Sequence, residues 1–109
     1  MMVTVLQAKI REALVTASSP KYKGSITIDA DLLDEMGVVP WQACDVNSLD
    51  GFRGTTYILP GERGSGCVEA NGALSSHILK NDIIHINVYC QVDVETAKTH
   101  KPVIIERNK

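Results

Sequence analysis

The stretch KYKGSITID, residues 21–29, places Gly24-Ser25 at the mouth of an alternating strand. A serine hydroxyl becomes a nucleophile when a neighbour activates it. A glycine before it admits backbone geometries that a side chain forbids and clears the path of attack. Taken alone, the pair also reads as a turn glycine and a strand-opening serine. Further along, Arg53 carries a guanidinium fork suited to gripping a carboxylate with two hydrogen bonds, and Thr56 and Tyr57 follow it closely. Their hydroxyls are of the kind that stabilise an oxyanion or deliver a proton. Three cysteines, Cys44, Cys67 and Cys90, are too far apart for a metal site and form no CxxC pair, so they read as free, buried or half-buried thiols. His77, His85 and His100 show no partner pattern and read as structural or exposed. No metal site is expected.

These residues need elements to hold them. VTVLQAKIREALVT reads best as a strand, with an opening helix as the alternative. As a strand it sets Leu6, Ala8, Ile10 and Leu14 on one face, and Val5, Lys9, Arg11 and Val15 on the other. SSPKYKG is a loop and SITI a strand; DADLLDEMG is a helix with an aspartate cap and a glycine stop. ACDVNSL and GTTYIL are strands joined by a hairpin at Asp50-Gly51. PGERGSG reads as a loop, CVEA as a short strand and GALSSHILK as a short helix. DIIHINVYCQV reads as a long strand buried on much of both faces, DVETAKTH as a turn of helix, and PVIIE as a last strand. Short strands broken by one-turn helices, without a regular βαβ order, predict a mainly β fold: a small closed barrel.

The chain has 109 residues, 44% of them hydrophobic and only 5% aromatic, so one domain with an aliphatic core is expected over 1–109. A net charge of −2 with mixed signs argues against nucleic acid or an anionic membrane as partner. The first residues hold no apolar run that would serve as a signal peptide or a span, which predicts a cytoplasmic protein.

Motifs along nearly the whole length resemble one family. They are AKI at 8–10, Y-x-GSITIDADLLD from Tyr22 to Asp34, R-x-x-TY from Arg53 to Tyr57, GERGSG at 61–66, NGA at 71–73 and THKP at 99–102. Together and in this order they are similar to the pyruvoyl-dependent aspartate decarboxylases. The resemblance implies a small double-psi β-barrel with short helices, assembled as a homotetramer with active sites between neighbouring subunits. It implies that the Gly24–Ser25 bond is meant to break. The Ser25 hydroxyl attacks the preceding carbonyl, the peptide becomes an ester, and elimination and hydrolysis leave chains 1–24 and 25–109, the second headed by a pyruvoyl cofactor. Such a carbonyl condenses with the substrate amine and takes up electrons as CO2 leaves.

The function implied is decarboxylation of L-aspartate to β-alanine for pantothenate and coenzyme A, with cleavage either spontaneous or assisted by a maturation helper protein. By the same resemblance, Lys9 and Arg53 hold substrate carboxylate, and Thr56 stabilises the oxyanion during cleavage. Tyr57 protonates the carbanion, the Asn71-Gly72-Ala73 backbone lines the pocket, and Tyr22 lies near the cleavage loop. Two positions depart from the family: Arg11 replaces a common histidine and Leu74 a common alanine, so pocket size and substrate choice are open. The alternatives are an uncleaved barrel acting as a binding or assembly subunit, and a decarboxylase for another acidic amino acid. Adjacent strand residues face opposite ways, so Thr56 and Tyr57 need a twist, a bulge or a site shared across subunits.

Overall fold

Apolar-polar alternation makes the first segment a strand, β1, over Met2–Leu14. In the computed structural model, which describes residues 1–21 and 25–108, seven more strands follow. These are β2 (Ala17–Ser19), β3 (Ile26–Asp29), β4 (Ala43–Ser48), β5 (Arg53–Gly61), β6 (Val68–Asn71), β7 (Ile83–Asp93) and β8 (Val103–Glu106). Two short helices, α1 (Ala30–Met36) and α2 (Val94–Ala97), and a 3₁₀ turn at Gly72–Ser76 lie between them. The strands form one sheet in the order β2-β6-β3-β5-β4-β7-β1-β8. Parallel pairs (β1 with β8, β2 with β6, β3 with β5) mix with antiparallel ones, and the sheet curls around one aliphatic core in the manner of a small double-psi β-barrel. Among the described residues no helix is long and apolar enough to cross a membrane.

Ile10, Ile26, Ile28, Ile58, Ile84 and Ile86 are all fully buried. Each contributes about 1.5–3 kcal/mol by leaving water. Ile26 and Ile28 fix β3 between β5 and β6, and so fix the residue just before it, Ser25.

Several expectations change. β1 slips register between Ile10 and Ala13, where Glu12 adopts φ 54°. This bulge turns Ala13 and Val15 into the core, so Val15 does not share the outer face with Lys9, and Leu14 is only half-buried. The loop expected at 18–24 begins as a strand, because Ala17–Ser19 pairs with Glu69–Asn71. β5 runs on through Pro60 and Gly61 alongside Ile28 and Asp29. Glycine fits at 61, where a Cβ would collide with the Cys67 sulfur. The helix expected at 72–80 shrinks to one 3₁₀ turn, and β7 buries a single face, with Ile84, Ile86 and Val88 inward and His85 and Asn87 outward. Cys44 and Cys67 are buried and Cys90 half-buried, all free, and burial pushes the Cys44 thiol up to about 12.

Helix α1 starts and stops where its sequence signals stand. Asp29 accepts from the Asp31 N–H at 2.8 Å, and Gly37 ends the helix at φ 70°. Asp29 is only 4% exposed and also accepts from the N–H groups of Gly64 (3.0 Å) and Gly66 (2.8 Å), tying the GERGSG loop to the end of β3. Burial alone raises its carboxyl. The three N–H donors and the Arg63 charge outweigh that and hold it below the usual carboxylate range. Arg63 itself bridges Asp31 and Asp34, at 2.5 and 2.6 Å. Asn108 closes the loop's other side, bonding Leu14 through both amide atoms and the Gly66 carbonyl at 2.6 Å.

Asp29→Ala takes the acceptor from three N–H groups, the Gly66 one buried and the other two part-buried, and is expected to cost about 3 kcal/mol in urea unfolding at neutral pH. A carboxyl depressed in the folded state stabilises above about pH 4, its unfolded value, and that stabilisation is lost as pH falls through the folded value. The gap between wild type and Asp29→Asn should therefore narrow on acidification. A gap that is constant with pH would assign the effect to packing instead.

Candidate active site

Ser25 is half-buried immediately before β3, and its carbonyl accepts from the Asn71 N–H at 3.0 Å. That bond extends the β3–β6 ladder by one rung and fixes the serine backbone. Ser25 borders a cavity of about 300 Å³ whose walls include Thr55, Thr56, Ala73 and Leu74. Four expected features thus meet: the serine, the Thr56 hydroxyl, the NGA loop and the departure at Leu74. Leu74 is 8% exposed and belongs to the core cluster as well, so it is both wall and packing. The backbone of Asn71 reaches Ser25, but its side chain donates to the Thr27 hydroxyl at 3.0 Å and faces a neighbouring groove with Lys21. Gly72 makes the corner between β6 and the 3₁₀ turn at φ 63°, a conformation that favours glycine. Gly24 and Tyr22 lie outside the described residues.

The remaining expected residues stand elsewhere. Tyr57 pairs with Ala43 and its ring stacks on Trp41, 5.4 Å between centroids. It does not border the Ser25 cavity. Strand alternation puts Arg53, Thr55 and Tyr57 on one face of β5 and Thr56 on the other. Lys9 pairs with Asn87, Asn87 with Asp45, and Asp45 with Thr55, so Lys9 shares that outer face. Arg53 pairs with Asn47 and opens onto a smaller cavity of about 210 Å³, which shares its Gly54-Thr55 wall with the Ser25 cavity. Among the described residues, Arg53 and Lys9 have no carboxylate partner. Arg11, by contrast, pairs with Glu106 at 3.1 Å, so its charge is already answered. The outer face also carries two buried amide oxygens, of Asn47 and Asn87, without a partner among the described residues.

The histidines divide. His85 Nδ1 accepts from the Glu12 N–H at 3.2 Å at the β1 bulge, and a His100 ring nitrogen lies 2.7 Å from the Leu6 carbonyl. Both are structural, as expected. His77 borders the Ser25 cavity and stacks on Phe52, with centroids 4.7 Å apart. Nothing in its sequence context signals that position, because Phe52 and His77 are brought together only by the hairpin and the 3₁₀ turn.

A family model described as aspartate decarboxylase matches residues 1–109. The chain belongs to the aspartate decarboxylase family. Similar relatives include an aspartate 1-decarboxylase of Caulobacter vibrioides, 41% identical over 106 residues, covering 96% of this chain and 90% of that one. The aspartate 1-decarboxylase of Bacillus licheniformis is 44% identical over 110 residues, 97% and 87% of the two chains. That of a Geobacillus species is 47% identical over 102 residues, 93% and 80%. As a member of this family the chain is a decarboxylase rather than a non-enzymatic binding subunit. The aspartate decarboxylase fold accounts for the cavity beside Ser25: β3, β5 and the NGA corner converge there.

Proposed function

We propose that the chain decarboxylates L-aspartate to β-alanine and CO2, after cutting itself between Gly24 and Ser25. The product would feed pantothenate and coenzyme A synthesis in the cytoplasm. The observation that carries this reading is the convergence of Ser25, Thr56, Ala73 and Leu74 on one cavity in a chain of this family. The residues fit a pyruvoyl group derived from Ser25: the serine sits at a strand mouth with its carbonyl anchored, beside an open cavity. When formed, that group supplies an electron-withdrawing carbonyl, so no metal or other cofactor is required.

The chain's own side chains take the remaining tasks. The Ser25 hydroxyl is the attacking group in the cut, and Thr56, whose hydroxyl makes no hydrogen bond among the described residues, donates to the oxyanion that attack creates. Arg53 and Lys9 hold substrate carboxylate, since neither charge is answered within the described residues. When the C–C bond to the departing carboxylate breaks, its electron pair stays on carbon and takes a proton from the Tyr57 hydroxyl. Tyr57, Arg53 and Lys9 share the outer face, and none of them borders the cavity beside Ser25. That separation favours a homotetramer in which the face of one copy completes the cavity of the next. Whether a helper protein speeds the cut is answered by the same assay run with and without cell extract.

Intact-mass analysis tests the reading. Two chains are expected, 1–24 and 25–109, the second without an N-terminal amine. A single uncut chain after prolonged incubation would return the protein to the binding-subunit alternative. A cut protein that releases CO2 from glutamate faster than from aspartate would change the substrate.

A further inference from the structure

We propose that His77 is a substrate-binding residue that contacts the retained carboxylate in the Ser25 cavity, an inference that rests on the decarboxylase reading above. Among the described residues that border this cavity, the rest are hydroxyl-bearing, apolar or glycine; none is Lys, Arg, Asp or Glu. His77 alone there can carry charge between about pH 5 and 8. A dicarboxylate brought beside Ser25 meets no other cation from this wall, and Arg53 is separated from it by the Gly54-Thr55 segment.

The imidazole is held and unspent. Its backbone N–H donates to the Leu74 carbonyl at 3.1 Å, and its ring lies nearly parallel to Phe52, at 13°. Phe52 is fixed in turn: its N–H donates to the Ser48 hydroxyl at 3.1 Å. Gly54 leaves room for the Phe52 ring, which a Cβ there would meet at 2.7 Å. Unlike His85 and His100, His77 has no ring-nitrogen hydrogen bond among the described residues. A stacked ring whose nitrogens make no hydrogen bond within the described residues is preorganised to donate to a carboxylate. Of the charged groups facing His77, the Asp50 carboxylate in the β4–β5 turn is near enough to interact with it. β3, β5 and the 3₁₀ turn contribute only hydroxyls and apolar groups to the same space.

Succinate, a dicarboxylate without an amine, is the probe. Imidazole NMR titrations of the wild-type protein should show one histidine, absent from the His77→Gln spectrum, whose midpoint succinate moves upward. By reciprocity succinate affinity is highest at low pH and falls as the imidazolium is lost, by roughly tenfold between about pH 5.5 and 8.5. His77→Gln should bind with the weaker affinity throughout, while His85 and His100 serve as internal references. Absence of succinate binding, an unmoved His77 midpoint, or unchanged pH dependence in His77→Gln would each overturn the proposal. CO2 release from aspartate is measured in parallel on the same samples. Turnover with a silent His77 sinks this inference alone, whereas a responsive His77 without turnover sinks the aspartate reading alone.

Discussion

Ser25→Ala is expected to leave the chain uncut and to abolish CO2 release from aspartate. The substitution removes one hydroxyl and nothing else that the fold uses. The anchoring bond from the Asn71 N–H goes to the Ser25 carbonyl, which alanine keeps, and the apolar residues that fix β3 are Ile26 and Ile28. Thermal stability should therefore match an uncut wild-type chain, which separates lost chemistry from lost structure. Alanine offers no nucleophile to the preceding carbonyl and nothing to eliminate afterwards. Ser25→Cys retains a nucleophile at the same atom position and is expected to yield cleaved chain. Mass spectrometry and a CO2 assay on the three proteins decide the matter. Wild-type turnover in an uncut Ser25→Ala protein would remove the self-cleavage from the mechanism.

The parts of the fold that short-range chemistry dictates were legible in the sequence. Asp29 and Gly37 bracket α1 because a carboxylate cap and a left-handed glycine act within one turn of the helix. Gly51, at φ 100°, turns the β4–β5 hairpin where Asp50-Gly51 announced it. The parts that were not legible depend on partners far along the chain. Glu12 takes a positive φ only because the bulge is held by His85 and by the Arg107 N–H to the Arg11 carbonyl, and no local signal marks it. β2 exists because β6 pairs with it in parallel. The site divides in the same way. The positions of Ser25, Thr56 and Leu74 follow from motif resemblance, and one cavity joins them. Arg11 left substrate choice open in the sequence because its partner, Glu106, stands on the parallel neighbour β8. His77 read as bland because its neighbour Phe52 comes from another element.

Tyr57→Phe should be cut normally yet lose turnover by about 10²–10⁴, the range for a missing general acid. Phenylalanine preserves the ring stacked on Trp41 and the β4–β5 pairing of Tyr57 with Ala43, so the outer face keeps its shape. The cut is spared because Tyr57 does not border the Ser25 cavity, where Thr56 does. This geometry adds a stronger test than the single variant. If one copy's Tyr57 serves the next copy's Ser25 cavity, Tyr57→Phe and Ser25→Ala chains should rescue each other when co-expressed. In the mixed assembly, each Tyr57→Phe chain brings a competent Ser25 cavity, and an adjoining Ser25→Ala chain brings the hydroxyl it lacks. Activity well above that of either variant alone is the expected result, read per cleaved chain. Absence of rescue in assemblies proven to be mixed would place Tyr57 and Ser25 in one copy's site, requiring the β5 strand to twist. Near-full turnover by cleaved Tyr57→Phe alone would assign the proton to water or to another hydroxyl.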